Sequence, residues 1–415
     1  MRTVVWVVLL FVVAVVAAST LGANDGLVTF YWRGWRLDVS LNLFVVGLLV
    51  TCFVLVSAFQ AVHALVSLPV RAHEWRVEQR RRAAEKALRE ALAEYLAARY
   101  TRSQKAAQRA LSIQENTHEL RGDHDLRVLA HLLAAASAHR LQDRVRRDDH
   151  LSQLRKASRR PGVTRAAEEG ARLMAAEWAL DDRDASRALG LLSDLAPGVA
   201  RRTHALRLRL QAARLARQPL DALRTARLLA KHQAFSAAAA QGLLRSLAGE
   251  AIDGAHDIDQ LRRVWQQLEA PDRRDPFVAA RVAQRACRLG AHEEARNWLR
   301  PSWERLGELP ADERECLALA LAENVDGVGV DWLPRLESAQ RTFPTDSAVA
   351  LAAGLAFAER QLWGKARRPL EQAAAAADLK ATERRVAWRR LADLARQEAD
   401  DARATACEQA AAQVE

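Results

Sequence analysis

Two stretches without a charged side chain open the chain and limit what it can become. The first runs from Thr3 to Asn24 and the second from Val39 to Val70. About 20 apolar residues cross about 30 Å of hydrocarbon, so the first suffices for one crossing. The second, as a helix rising about 1.5 Å per residue, would reach about 48 Å, which calls for tilt or an interfacial extension. Residues 1–70 therefore read as a two-span membrane anchor. A single Arg, a short apolar run and the Ala-rich residues 17–23 also fit a cleaved leader, and the second span would then stop transfer.

Basic residues flanking spans stay on the cytoplasmic side. Arg71, Arg76, Arg80, Arg81, Arg82, Lys86 and Arg89 follow the second span, against Arg33 and Arg36 between the spans. Both termini are thus expected in the cytoplasm. The segment Tyr31-Trp32-Arg33-Gly34-Trp35 fits an outer interfacial belt and Trp75 an inner one. Residues 71–90 read as a basic juxtamembrane helix in which Arg71, Arg76, Arg80, Arg81 and Arg82 are candidate contacts for anionic lipid, a topology signal being the alternative. His63, near the cytoplasmic end of the second span, is a functional suspect because it is ionisable, or else a group that reaches back to the interface.

Beyond Val70 the composition is Ala, Leu, Arg, Glu and Gln, which lose little side-chain freedom in a helix. The formal charge of +11 invites a nucleic-acid reading. Arg is interleaved with Asp and Glu along most helices, however, as on solvated faces with i,i+4 pairs, and no nucleic-acid partner is expected. Breakers recur at Arg121-Gly122-Asp123, Arg160-Pro161-Gly162, Pro197-Gly198, Ala270-Pro271-Asp272, Leu309-Pro310-Ala311 and Phe343-Pro344-Thr345-Asp346. Helix pairs at a period of about 34 residues predict a tetratricopeptide (TPR)-like α-solenoid.

The best-formed unit starts at Ser347, with Gly354, Phe357, Trp363, Ala366, Leu370 and Ala373 in the expected small and large alternation. Further starts are expected near Arg385 and Pro276, with an irregular unit over 312–341. Residues 91–248 hold degenerate pairs, 249–275 form a possible break, and 276–415 hold the C-terminal repeats. The overall expectation is an all-α protein: a two-helix transmembrane hairpin followed by the solenoid.

Little in the sequence suggests chemistry. Cys52, Cys287, Cys316 and Cys407 form no C-x-x-C pair, so reduced structural cysteines are expected. His118, His124, His131, His139 and His150 lack the i,i+4 spacing of a helical ligand pair. Gly327-Val328-Gly329 follows no strand and reads as a loop. No catalytic residue, cofactor or metal is expected.

The Met1-Arg2 start, the polar turn ending Arg36-Leu37-Asp38-Val39-Ser40, Arg80-Arg81-Arg82, the run Ala91-Leu92-Ala93-Glu94-Tyr95 leading to Arg99-Tyr100, and the C-terminal repeats together resemble the HemY family of Gram-negative bacteria. The resemblance implies an inner-membrane tetratricopeptide protein associated with late haem biosynthesis and with no established catalysis. A flavin-dependent protoporphyrinogen oxidase shares the name, but it needs a dinucleotide-binding βαβ start that this sequence lacks. The expected function is a scaffold that holds partner proteins, haem-biosynthesis enzymes among them, at the cytoplasmic face. Gln284, Arg288, Leu351, Leu355, Glu359, Arg389, Asp393 and Arg396 are its candidate groove residues, taken from the ligand-facing positions of tetratricopeptide repeats. An adaptor for envelope assembly or membrane-protein quality control is the alternative, and an enzyme or haem-binding protein a third class, which a Soret band on haem addition would reveal.

Overall fold

In a computed structural model, residues 13, 26–158 and 165–414 are described, without the side chains of residues 63–65, 67, 68, 158 and 165. The expected first span therefore lies, apart from Val13, outside the described residues, as do the Arg160-Pro161-Gly162 breaker and the side chain of His63. The chain divides into two units, residues 1–163 and 164–415.

The segment expected to be a polar turn is a β-hairpin. Strand β1 (Leu27–Trp32) pairs antiparallel with β2 (Trp35–Ser40), Trp32 facing Trp35 across a two-residue turn. Arg33 and Gly34 both have positive φ (46° and 89°), which matches the right-handed twist of the strands. Leu27-Val28-Thr29-Phe30-Tyr31-Trp32 is rich in β-branched and aromatic residues, a strand composition that outweighs the missing Asn-Gly turn signal.

Ser40 ends β2 and caps α1 (Leu41–Leu96) by accepting from the Leu43 amide at 3.4 Å. Span and juxtamembrane helix, expected as separate pieces, are one helix with Pro69 inside it. Residues Leu41–Val62 are long and apolar enough to cross a membrane, and none of that stretch is buried against protein. Farther along, Ala84, Ala87 and Ala91 become buried against α2 (Tyr100–Glu115) and α3 (His124–Arg140). Small side chains allow this close approach, and Ser103 fastens it by donating to the Ala91 carbonyl at 2.7 Å. Helix α4 (Arg144–Ser158) completes the first unit.

The second unit is a succession of helix pairs: α5 (Arg165–Asp181) and α6 (Ala185–Ser193), the short α7 (Pro197–Ala200), α8 (Thr203–Leu215) and α9 (Pro219–Lys231), α10 (Ala237–Asp253) and α11 (Ile258–Gln267), and the short α12 (Ala270–Arg273). Then follow α13 (Pro276–Arg288) and α14 (His292–Trp303), α15 (Ala311–Ala322) and α16 (Leu333–Thr342), α17 (Ser347–Glu359) and α18 (Trp363–Ala375), and α19 (Ala381–Gln397) and α20 (Asp401–Gln413). The last repeat thus begins at Ala381, one helical turn before the expected Arg385. The stretch 249–275 is no gap: Ile252, Ala255, Leu261 and Leu268 belong to the same core as Leu210 and Leu355.

One turn recurs. Ala98, Gln142, Arg183, Arg217, Gln233, Gly290, Gln361 and Ala399 all have positive φ at the end of a helix. The following amide reaches back to a carbonyl five residues earlier, as in Leu362 N–H to Phe357 O at 2.8 Å and Asp400 N–H to Ala395 O at 2.9 Å. This is the left-handed helix stop that satisfies the last carbonyls and reverses the chain. Aspartates cap the helices that follow several of these turns, Asp143, Asp184 and Asp400 accepting from the third residue on.

Arginines tie neighbouring pairs together. Arg314 contacts Asp346 at 2.6 Å, Arg390 contacts Glu359 at 3.0 Å, and Arg300 contacts Asp331 at 2.8 Å. Each partner lies about one repeat away, so much of the alternating charge serves contacts between repeats as well as i,i+4 pairs within helices.

Candidate partner-binding face

First helices of consecutive pairs lie side by side: α10, α13, α15, α17 and α19 form one face of the second unit. Two clefts open on it. The first, about 440 Å³, lies between α10 and α13 and is bordered by Arg245, Glu250, Phe277, Arg281, Gln284 and Cys316. Arg245 bridges it, contacting Asp275 at 2.8 Å and Glu313 at 2.7 Å with its guanidinium 4.2 Å from the Phe277 ring centre. The second, about 240 Å³, is walled by α15, α17 and α19.

Leu351 and Leu355, 2% and 5% exposed, floor the second cleft, with Leu319 beside them. Val386, 44% exposed, forms a wall from α19. Glu323 and Glu383 supply its charge. Gln284 donates to Glu323 at 3.3 Å and so joins the two clefts. Desolvation raises the Glu323 carboxyl above its ordinary range, Glu383 adds to that shift, and Gln284 and Arg288 oppose it.

Of the expected groove residues, the structure gathers Gln284, Leu351 and Leu355 on this face. Arg288 is exposed near Glu323. Glu359 is turned toward the neighbouring repeat, accepting from Arg390 at 3.0 Å and from the Gly327 amide at 3.4 Å. Arg389 is exposed and lines neither cleft. Asp393 and Arg396 pair with each other at 2.8 Å, and Arg396 also pairs with Glu408 of α20, so both serve the last helix pair. The α19 residues that do line the cleft, Thr382, Glu383 and Val386, were hidden by the register. Counting 34 residues on from Ser347 leads to Ala381 and would have found them.

The candidate lipid contacts lie along α1. Arg71 and Arg76 are exposed, as is Trp75. Arg80 donates to the Asn116 carbonyl at 3.3 Å, and Arg81 and Arg82 pair with Glu85 and Glu78. At the other end of the apolar stretch, Trp32 and Trp35 on the hairpin are 77% and 82% exposed. The hairpin is fastened there by the Leu41 amide bonding Gly26 O at 2.8 Å and by Phe30 against Phe44, ring centres 5.6 Å apart.

Elsewhere, the α3–α4 hairpin brings together His131 and His150, residues 19 apart, with their Nδ1 atoms 3.2 Å from each other. Burial, then the charges of His150 and Arg127, lowers His131 to about 4. Among the described residues no group of three or more His, Cys, Asp or Glu is arranged to hold a metal ion. The Gly327-Val328-Gly329 loop lies between α15 and α16, held by buried Arg296, which donates to the carbonyls of Asn324, Asp326 and Gly327 at 2.7, 2.6 and 3.1 Å.

Residues 26–142 match the family described as HemY protein N-terminus. No curated protein matches the chain. The matched stretch runs from the hairpin through α1 and α2 to the end of α3, so span and first helical packing fall within one domain. Over this N-terminal stretch, well under half of its length, the chain is similar to the HemY family.

Proposed function

We propose that this protein is a membrane-anchored scaffold that binds partner proteins through the first-helix face of its repeats and acts without catalysis of its own. The observation that carries the reading is α1: one helix begins as an unburied apolar span and ends packed against α2 and α3. Anchoring and helical packing are thus one element, which holds the first unit at the bilayer. A TPR-type array adds a similar surface with each repeat, suited to gripping segments of other proteins.

In this reading the chain crosses the inner membrane twice, with both termini and the repeats in the cytoplasm. The resemblance to the HemY family, with its association with haem biosynthesis, supports late enzymes of that pathway as the partners, kept near one another so that a hydrophobic tetrapyrrole passes between them at high effective concentration. The test is a deletion strain complemented in parallel with the wild-type chain and with Leu355→Arg, both at matched membrane levels. Accumulated porphyrin intermediates, cleared by the wild type and not by the variant, are expected. A normal tetrapyrrole profile in the deletion strain would overturn the haem assignment. Unchanged photo-crosslinks from position 386 in the Leu355→Arg variant would overturn the face assignment.

A further inference from the structure

The chemistry of the second cleft deepens this reading and rests on it. We propose that the cleft between α15, α17 and α19 receives a segment of a partner protein in which a Lys or Arg lies beside aliphatic residues.

Size comes first. At about 240 Å³, the cleft falls below the ~300–1,000 Å³ of sites that enclose whole small molecules. It accommodates side chains projecting from another chain. Its floor, Leu351, Leu355 and Leu319, and its wall, Val386, offer only hydrocarbon, which selects aliphatic groups.

Charge supplies the rest. The chain is strongly basic, and on the helices around the cleft many acids are matched to cations, among them Glu313 with Arg245, Asp346 with Arg314, Glu359 with Arg390, Glu371 with Arg403, Glu398 with Arg367 and Glu337 with Lys365. Glu323 and Glu383 break that pattern. They approach the cleft from different helices, and neither forms an ion pair among the described residues. Thr382 donates to Glu383 at 2.8 Å and Gln284 to Glu323 at 3.3 Å, bonds that orient the carboxylates without neutralising them. Burial raises the proton affinity of Glu323 and Glu383 adds to it, while Gln284 and Arg288 only oppose the shift, so the carboxylate stands desolvated beside a second acid without a paired cation. A cation brought by the partner corrects this, and a partner carboxylate would be repelled.

Peptide-display selection on the full-length chain in detergent micelles tests the proposal, with Glu323→Lys/Glu383→Lys and Val386→Asp variants carried in parallel. All of these positions are at the surface, and unchanged helical circular dichroism certifies folding. Glu323→Gln/Glu383→Gln replaces the reversal if that fails to fold. The wild type is expected to enrich Lys or Arg next to Leu, Ile or Val. The best peptide, resynthesised with a fluorophore, should bind the charge-reversed variant roughly tenfold or more weakly, and that variant should in turn select Asp or Glu. Equal binding by wild type and charge variant, with loss in Val386→Asp, would overturn this inference and leave the protein-binding face standing. Binding unchanged in both variants, or no selected peptide at all, would overturn the face together with the inference.

Discussion

His131 shows how a packed interface sets a residue's chemistry. It is buried between α3 and α4 with a second imidazole at 3.2 Å, so the neutral form is favoured and the folded pKa falls from 6.5 to about 4. A base whose folded pKa lies below its unfolded value takes up a proton on unfolding across that interval. Stability therefore rises with pH between about 4 and 6.5 and is lost as pH falls through it, on the order of a few kcal/mol for so buried a group. His150 is lowered too, chiefly by burial, and adds in the same direction. His131→Gln keeps a polar partner for His150 but cannot charge. Denaturant unfolding of the first unit, followed from pH 7 to 4, should show a shallower acid loss in the variant; an identical slope would mean that His131 is not the group responsible. Gly354 sets a different limit. A Cβ there would lie 2.8 Å from Leu370 Cγ and 3.1 Å from the Leu370 backbone nitrogen, so α17 and α18 pack at a distance that no other residue allows. Gly354→Val should destabilise by about 1–3 kcal/mol. Gly364→Ala, where the added methyl meets nothing within 4 Å, should be neutral or stabilising in the same thermal melts. The sequence pattern pointed to Gly354 because small residues at that repeat position are a packing requirement. The His131–His150 pair was not legible, since a spacing of 19 acquires meaning only once the α3–α4 turn is known.

At the scale of elements, the helices were legible because alanine and leucine dominate them and because breakers separate them. Their ends were not. Of the left-handed stops, Gly290 carries the expected glycine, whereas Gln142, Arg183, Arg217, Gln233 and Gln361 occupy the same conformation with a Cβ. Such a residue adopts positive φ at a cost of about 1 kcal/mol, which the two recaptured carbonyls and the packing of the pair outweigh. Gln361 is exposed, so Gln361→Gly should relieve that cost and raise stability by up to about 1 kcal/mol, and Gly290→Ala should lower it by a similar amount. Opposite shifts in melting temperature are the expected signature; a loss in both variants would show that the side chain of Gln361 contributes more than its backbone strain removes. The same absence of a local signal explains the misplaced start of α19. Lys380 caps it without a side-chain bond, so nothing in the sequence distinguished Ala381 from Arg385, and the candidate face lost Glu383 and Val386 as a result. The hairpin was missed for the opposite reason. Its strand residues were visible, but their aromatic content was read as interfacial and not also as β-forming.

Taken as a whole, the chain concentrates its membrane-directed features along one helix. Exposed Trp32 and Trp35 mark the hairpin end of the apolar stretch, and Trp75 with Arg71 and Arg76 marks the other. Leu41 to Val70 spans about 45 Å at about 1.5 Å per residue, enough to set the two sets of side chains in opposite headgroup layers with some tilt. Indole rings favour that depth at either face and arginines keep to the cytoplasmic side, so the proposed orientation rests on the basic end of α1. The arrangement predicts the outcome of topology reporters in intact cells. A phosphatase that is active only outside the cytoplasm should be active when inserted at the Arg33-Gly34 turn and inactive when fused after residue 96 or 414, with a cytoplasmic fluorophore giving the converse. Exchanging Arg71, Arg76 and Arg80–Arg82 for Gln should blur this contrast, because it removes most of the charge difference between the two sides. Activity of the phosphatase after residue 96 in the unaltered chain would place the repeats outside, out of reach of any cytoplasmic enzyme, and would defeat the proposed scaffold whatever the clefts of the second unit bind.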